Sequence, residues 1–223
     1  MTSSRTEILA RIRRAQQRAF LPDVTGITPP PPEPPPFDRP LDVVFGEALA
    51  AVQGVLHRCA TADETADIIA DACRRQGQSQ ALGWSPAALP LPGLAAALDA
   101  RGIALIPSRL AGDRQRGLDA LRPLLVGVTG AAAGLARTGS IVLHAYREHG
   151  RLASLIPDIH IALLPADKLY ADIAAWIATD EAARAITASS NTVVITGPSR
   201  TADIAQTLTL GAHGPRELHV ILF

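Results

Sequence analysis

The pattern that most restricts what this chain can fold into begins at residue 41. From there, short runs of consecutive apolar residues alternate with segments of helical spacing. The runs are IALIPS (103–108), LLVGVTG (124–130), HIALLP (160–165), TVVIT (192–196) and ELHVILF (217–223), with QALGW (80–84) a shorter one. A strand with one wet face alternates apolar and polar residues, whereas one covered on both faces is apolar throughout. Helices are predicted between the runs at 41–60, at 63–76 opening on Thr61, at 94–102 closed by Gly102, at 166–186 and at 201–210. In the fourth of these, Leu169, Ile173, Trp176 and Ile177 form one apolar stripe. GLARTGSIVLHAY (134–146) reads as a hairpin bent at Arg137-Thr138-Gly139-Ser140. The expected class is therefore α/β: a mainly parallel sheet with helices on both faces, and ligands gathering beyond the carboxyl ends of its strands.

The preceding segment has a different character. Residues 4–20 carry Ile8, Ile12, Ala15 and Ala19 at helical steps, with Arg5, Arg11, Arg13, Arg14 and Arg18 on the other faces. Seven prolines between 29 and 36 then hold the chain extended as a semi-rigid strap. The expected division is 1–40, helix and proline-rich linker, and 41–223, a single α/β domain. Lysine plus arginine and aspartate plus glutamate balance at 21 each, so no net field draws nucleic acid or acidic membrane. The arginines of the first helix also lack the interleaved aromatics of a nucleic-acid reader. Two cysteines, Cys59 and Cys73, stand apart from any cysteine or histidine spacing that would signal a cluster or zinc site. No run approaches the roughly 18 apolar residues of a membrane helix. The first twenty residues are broken by charges, unlike an export leader. The expected location is the cytoplasm.

The last third of the chain concentrates its polar chemistry in TGPSRTADIAQTLTLGAHGP (196–215), a crossover between two apolar runs. Gly197 and Pro198 shape the turn at the end of a predicted strand. Ser199 or Thr201 can cap the predicted helix, whose first amides, beside Arg200, form an anion socket that Asp203 opposes. His213 and Gly214 follow, His213 being the most exposed-looking of the six histidines. Thr138, Gly139 and Ser140 form a second hydroxyl-bearing turn beside Arg137. Ligand contact and plain loop-shaping both explain these residues. His160 and His219, inside apolar runs, read as satisfied core histidines, while His57, His144 and His149 show no partner spacing. No P-loop, dinucleotide fingerprint, nucleophile elbow or zinc-protease helix occurs.

Three stretches together resemble a known family. GLARTGSIVL (134–143), RLASLIPDIHIALLP (151–165) and VVITGPSRTADIAQTLTLGAHGPRELHVILF (193–223) are similar, in order and spacing, to the lactate utilisation protein C type of lactate-utilisation (LUD) domain proteins. The likeness covers roughly the last 90 residues. It implies a fold like that of the glucosamine-6-phosphate deaminase, ribose-5-phosphate isomerase and coenzyme A transferase superfamily. It implies a non-metal or accessory role in bacterial oxidation of L-lactate to pyruvate, beside iron–sulfur partner proteins that hold the clusters, with no cofactor in this chain. Any enzymatic role would be as a component of an L-lactate oxidoreductase complex. The alternative is a stand-alone enzyme or sensor that binds a phosphorylated or coenzyme A-linked metabolite. Two positions depart from the family pattern. Arg137 stands where an acid commonly precedes the first turn, and Ala205 stands where a glutamate commonly follows T-A-D-I. Both changes make the site less acidic, so Arg137 and Arg200 are expected to face a common pocket for a small anionic metabolite.

Overall fold

The computed structural model describes residues 4–19, 35–110, 112–146, 149–202, 208–210 and 214–223. By its internal contacts the chain divides into Met1–Pro35 and Pro36–Phe223. In the first unit, α1 (Ser4–Arg18) buries none of its residues. Of the prolines from 29 to 36, only Pro35 and Pro36 fall within the described residues.

The second unit runs α2 (Leu41–Ala51), β1 (Val55–Arg58), α3 (Ala62–Arg75), β2 (Gln80–Gly83), α4 (Leu94–Asp99), β3 (Ala104–Pro107), α5 (Arg114–Leu121), β4 (Val126–Gly130), β5 (Ala133–Leu135), β6 (Ser140–Ala145), β7 (Ile159–Leu164), β8 (Leu169–Tyr170), α6 (Ile173–Ile177), α7 (Asp180–Ala188), β9 (Asn191–Ile195), β10 (Arg200–Ala202), β11 (Leu208–Leu210) and β12 (Glu217–Leu222). Six strands form one sheet in the order β1-β12-β7-β4-β2-β3, every neighbouring pair parallel. β4 and β7 are buried at every residue, which is why their sequences are continuously apolar. Helices surround this sheet, and its core runs from Phe45 and Leu49 of α2 through Ile69 of α3 to Ile161 and Ile221 at the centre. The expected α/β class with a mainly parallel sheet is what the chain adopts.

A second sheet of four strands, β8-β5-β6-β9, is mixed: β5 and β8 run parallel, while β6 is antiparallel to both β5 and β9. Its hairpin β5–β6 is the one expected around residues 137–140. A smaller core of Ala133, Leu135, Val142, Trp176 and Ala182 packs on it.

Four local expectations need correction. The helix predicted over 41–60 stops at Ala51, because Gln53 takes a left-handed φ of 66° and the amides of Gln53 and Gly54 bond back to Ala50 and Leu49; the chain then re-enters as β1. The helix predicted over 166–186 is broken twice. The Asp172 carboxylate accepts from the Ala175 amide (3.0 Å) and the Thr179 hydroxyl oxygen accepts from the Ala182 amide (3.1 Å), so each residue starts a new helix. Leu169 lies on β8, and of the proposed stripe only Trp176 is buried, Ile173 and Ile177 being about half exposed. The helix predicted over 201–210 is instead the antiparallel pair β10–β11, with Arg200 opposite Leu210 and Ala202 opposite Leu208. The alternation Thr207-Leu208-Thr209-Leu210 has a strand period, which outweighs the helical spacing read across it. Finally, β3 and β9 are sheet edges with exposed residues, not buried strands.

Candidate functional site

The two turns singled out in the sequence are brought together by pairing of β6 with β9. Ile141 lies opposite Ile195, which places Ser140 across from Thr196. Their hydroxyls join at 2.8 Å, and Ser140 Oγ also meets Thr138 Oγ1 at 2.7 Å, so three hydroxyls form a chain across the strand ends. Ser140 is buried while Thr138 and Thr196 are exposed. Both glycines of the turns are buried beneath the end of α2. Gly139 has φ 62° and Gly197 φ 76°. A Cβ at Gly139 would collide with the backbone of Ala48 and Leu49, and one at Gly197 with the carbonyl oxygen of Val52. These glycines serve close packing as well as left-handed geometry.

Arg137 and Arg200, expected to face a common pocket, engage different protein groups, and neither lines the cavity beside the crossover. Arg200 donates from Nη2 to the Val52 carbonyl (2.9 Å), bracing the end of α2. Arg137 meets Asp172 at 3.5 Å and lies 4.5 Å over the Phe37 ring. The bond from the Ala175 amide, with help from Arg137, holds the Asp172 carboxyl below its usual range. Among the described residues of the crossover no helix starts, and Arg200–Ala202 form β10 instead. Asp203, Ala205 and His213 lie outside the described residues, and of Thr201 only the strand backbone is described.

What the crossover does border is a cavity of about 270 Å³. Gly197, Pro198, Ser199 and Gly214 line one side of it, and Arg151, Ser154 and Leu155 line another. Ser199 is fixed by its amide, which donates to Pro215 (2.8 Å). Thr138, Gly139 and Ser140 do not line it. His160 also borders this cavity. It is 1% exposed and its Nε2 meets Thr129 Oγ1 at 2.8 Å; burial pushes its pKa down to about 4, so it is neutral. It is the satisfied core histidine expected. So is His219, whose Nδ1 meets His57 Nε2 at 2.9 Å and whose Nε2 meets Glu217 at 3.1 Å.

A second cavity, of about 290 Å³, opens where the main sheet's central strands end. Trp84 follows β2, Gly130 closes β4 and Pro165 follows β7, so this is the carboxyl end of three adjacent parallel strands, where open α/β sheets take their ligands. The second sheet and its helices complete the wall with His144, Tyr146, Trp176 and Glu181. Nothing in the sequence pointed to His144 or His149 here. The available signal was the alternation Ser140, Val142, His144 on one face of β6, which sets His144 opposite Thr192.

Among the described residues, no group of three or more histidine, cysteine, aspartate and glutamate side chains is arranged to hold a metal ion. Both cysteines are buried and unpaired, and burial raises each thiol, Cys73 to about 11. Nor is any described helix long and apolar enough to cross a membrane.

Comparison with known proteins agrees with this architecture. A solved DUF162 family protein from Deinococcus radiodurans superposes with a TM-score of 0.53 at 24% identity, covering 82% of this chain and 95% of that one. Lactate utilization protein C of Bacillus subtilis is 36% identical over 99 residues, 44% of this chain and 41% of that protein. Its namesake in Deinococcus radiodurans is 33% identical over 96 residues, 43% of this chain and 44% of that protein. An uncharacterized protein of Neisseria meningitidis serogroup B is 38% identical over 95 residues, 43% and 40% of the two chains. The matched stretch spans about two-fifths of these curated relatives. The model of the LUD domain matches residues 44–223, essentially the whole α/β body from α2 to β12, and the chain belongs to the LUD domain family.

Proposed function

We propose that this chain is a non-metal component of a bacterial, cytoplasmic system that oxidises L-lactate to pyruvate, acting beside iron–sulfur proteins that carry the clusters. The observation behind this reading is the LUD domain match over residues 44–223, together with relatives named lactate utilization protein C. The state of the cysteines supports the division of labour. A cluster binds thiolates, whereas Cys59 and Cys73 are buried thiols whose deprotonation is disfavoured.

In this reading the crossover cavity holds a small anionic metabolite. Arg151, exposed at its rim, supplies the cation, and the half-buried Ser199 supplies a hydroxyl donor. Arg200 and Arg137 are already engaged with protein groups and are not the anion's partners.

Purification of the tagged full chain from its native cells tests the assembly. Iron–sulfur proteins are expected to accompany it, with lactate oxidation found only in the combined fraction. Lactate oxidation by the isolated chain, or a preparation free of cluster-bearing proteins, overturns the proposal. For the cavity, titration calorimetry with L-lactate is expected to give a saturable heat that Arg151→Ala removes; equal heats from both proteins count against the assignment.

A further inference from the structure

The cavity at the carboxyl ends of β2, β4 and β7 has a composition unlike the rest of the molecule. The chain has two tryptophans and two tyrosines, yet both tryptophans and one tyrosine line this one space. The polar ends of Trp84 and Tyr146 are already occupied. The indole Nε1 donates to the Gly150 carbonyl (3.2 Å) and the phenol donates to the Ala185 carbonyl (3.2 Å). His149 stacks on Trp84 at 4.1 Å with a 7° tilt, and Tyr146 meets His149 edge-on. Trp84 and Tyr146 therefore present hydrocarbon surface to the cavity.

His144 is the exception. It is 5% exposed, and its Nε2 has no hydrogen-bond partner. Thr65 Oγ1 is the other such buried side-chain atom among the described residues, and it lies elsewhere. Leaving a buried polar atom unpaired is costly, so an orphan beside empty space calls for an occupant. The network behind the ring fixes its tautomer. Ser189 Oγ has a single proton, which it donates to the Ile186 carbonyl (3.3 Å). The contact between Ser189 Oγ and Thr192 Oγ1 (3.2 Å) must then use the threonine's proton. Thr192 Oγ1 is left to accept from His144 Nδ1–H at 3.0 Å. Nε2 therefore carries the lone pair and accepts. Burial, with the neighbouring His149, lowers the pKa of His144, which keeps the ring in this neutral form.

The charges at the rim cancel. Lys168 Nζ sits 2.9 and 2.7 Å from the two oxygens of Glu181, so the lysine and the glutamate of the lining offset one another. A charged ligand would leave this apolar space with an uncompensated charge. The volume, about 290 Å³, suits a ring or a fused pair of rings. The geometry points to a binding site for a small uncharged aromatic or heteroaromatic molecule, bearing an O–H or N–H donor at its edge that His144 Nε2 accepts. The proposal does not rest on the assignment of the crossover cavity to an anionic metabolite, although a small cavity is lined by His144 and Trp84 together with Arg151 and Ser154.

Phenol is the probe, with toluene as its counterpart lacking the donor and L-lactate as a charged one. Trp84 and Trp176 report occupancy by their fluorescence. Phenol is expected to give a saturable change with an affinity about tenfold tighter than toluene, the difference one buried hydrogen bond makes. L-lactate is expected to give none. His144→Leu should erase the preference for phenol while leaving toluene binding intact. If that variant is unstable, two-bond proton–nitrogen NMR of the wild-type imidazole reads the same property. Nε2 is expected to be unprotonated in the free protein and to shift when phenol is added. Equal affinity for phenol and toluene, an unchanged preference in His144→Leu, a protonated Nε2, or tighter fluorescence-detected binding of L-lactate than of phenol would each overturn the assignment.

Discussion

The two cavities each contain a buried, neutral histidine, and the contrast between those histidines separates architecture from chemistry. His160, beside the crossover, is 1% exposed and bonded to Thr129. His144, at the carboxyl ends of the central strands, is buried almost as deeply and has one nitrogen bonded and the other not. Burial is common to both, so burial does not mark a site. Beside the crossover the cavity meets a histidine already bonded to Thr129, and the turn glycines pack against the end of α2. The other cavity is built from fixed aromatic walls with one polar demand left open.

If the crossover region is chiefly packing, steric change there should produce the largest effects in the molecule. Gly139→Ala is expected to cost on the order of 3 kcal/mol and lower the melting temperature by about 10 °C, because its Cβ would enter the backbone of Ala48 and Leu49 at a left-handed φ. Gly77 also has a positive φ, 65°, but nothing lies within 4 Å of a Cβ there. Gly77→Ala isolates the conformational part and should cost only about 1 kcal/mol. Equal melting losses would mean that α2 does not press on the turn.

Acid sensitivity compares the two histidines next. His160 titrates at about 4 when folded and near 6.5 when unfolded, so between these values the unfolded chain binds more protons. Its contribution to stability is complete above about pH 6.5 and is lost as the pH falls toward 4, to the extent of about 3 kcal/mol. The pKa of His144 moves in the same direction, through its own burial and the charge of His149. Chemical denaturation from pH 7 to pH 4 should therefore show a falling stability that His160→Gln, which cannot titrate, flattens. An unchanged slope would place the acid sensitivity elsewhere.

The same contrast explains what the sequence made legible. β4 and β7 are apolar at every residue because both their faces are covered, so the parallel sheet could be read directly from the run pattern. The hairpin at Gly139 was visible for a similar reason, as its turn chemistry is local. Helix breaks at Asp172 and Thr179 were present as capping residues but were overridden by an apolar spacing that crossed them. The alternation at 207–210 was likewise read at the wrong period. The cavity of His144 was not legible, because its walls come from β2, β6, α6 and α7, and only the register of β6 against β9 brings Thr192 to the imidazole. No spacing in one dimension encodes that meeting.

Smaller effects sharpen the division within the crossover itself. Ser140→Ala removes the buried middle member of the hydroxyl chain, but Thr138 and Thr196 can turn to water, so a loss of about 1 kcal/mol is expected in urea unfolding. A loss well above that would mean that the outer hydroxyls are not free to rehydrate.

Arg200→Ala should do least to stability, under about 1 kcal/mol, because its guanidinium is exposed and makes one bond to the Val52 carbonyl. Its value lies in the comparison with Arg151, which borders the crossover cavity while Arg200 does not. Were charge near the crossover all that an anion needs, both alanine variants would weaken L-lactate binding alike, and more so at low salt. If instead position decides, Arg151→Ala removes the calorimetric heat and Arg200→Ala leaves it as in the wild type. A heat lost only in Arg200→Ala would reverse the roles. The bond to Val52 would then be one that the ligand displaces, and the anion would bind at the end of α2 rather than in the cavity beside His160.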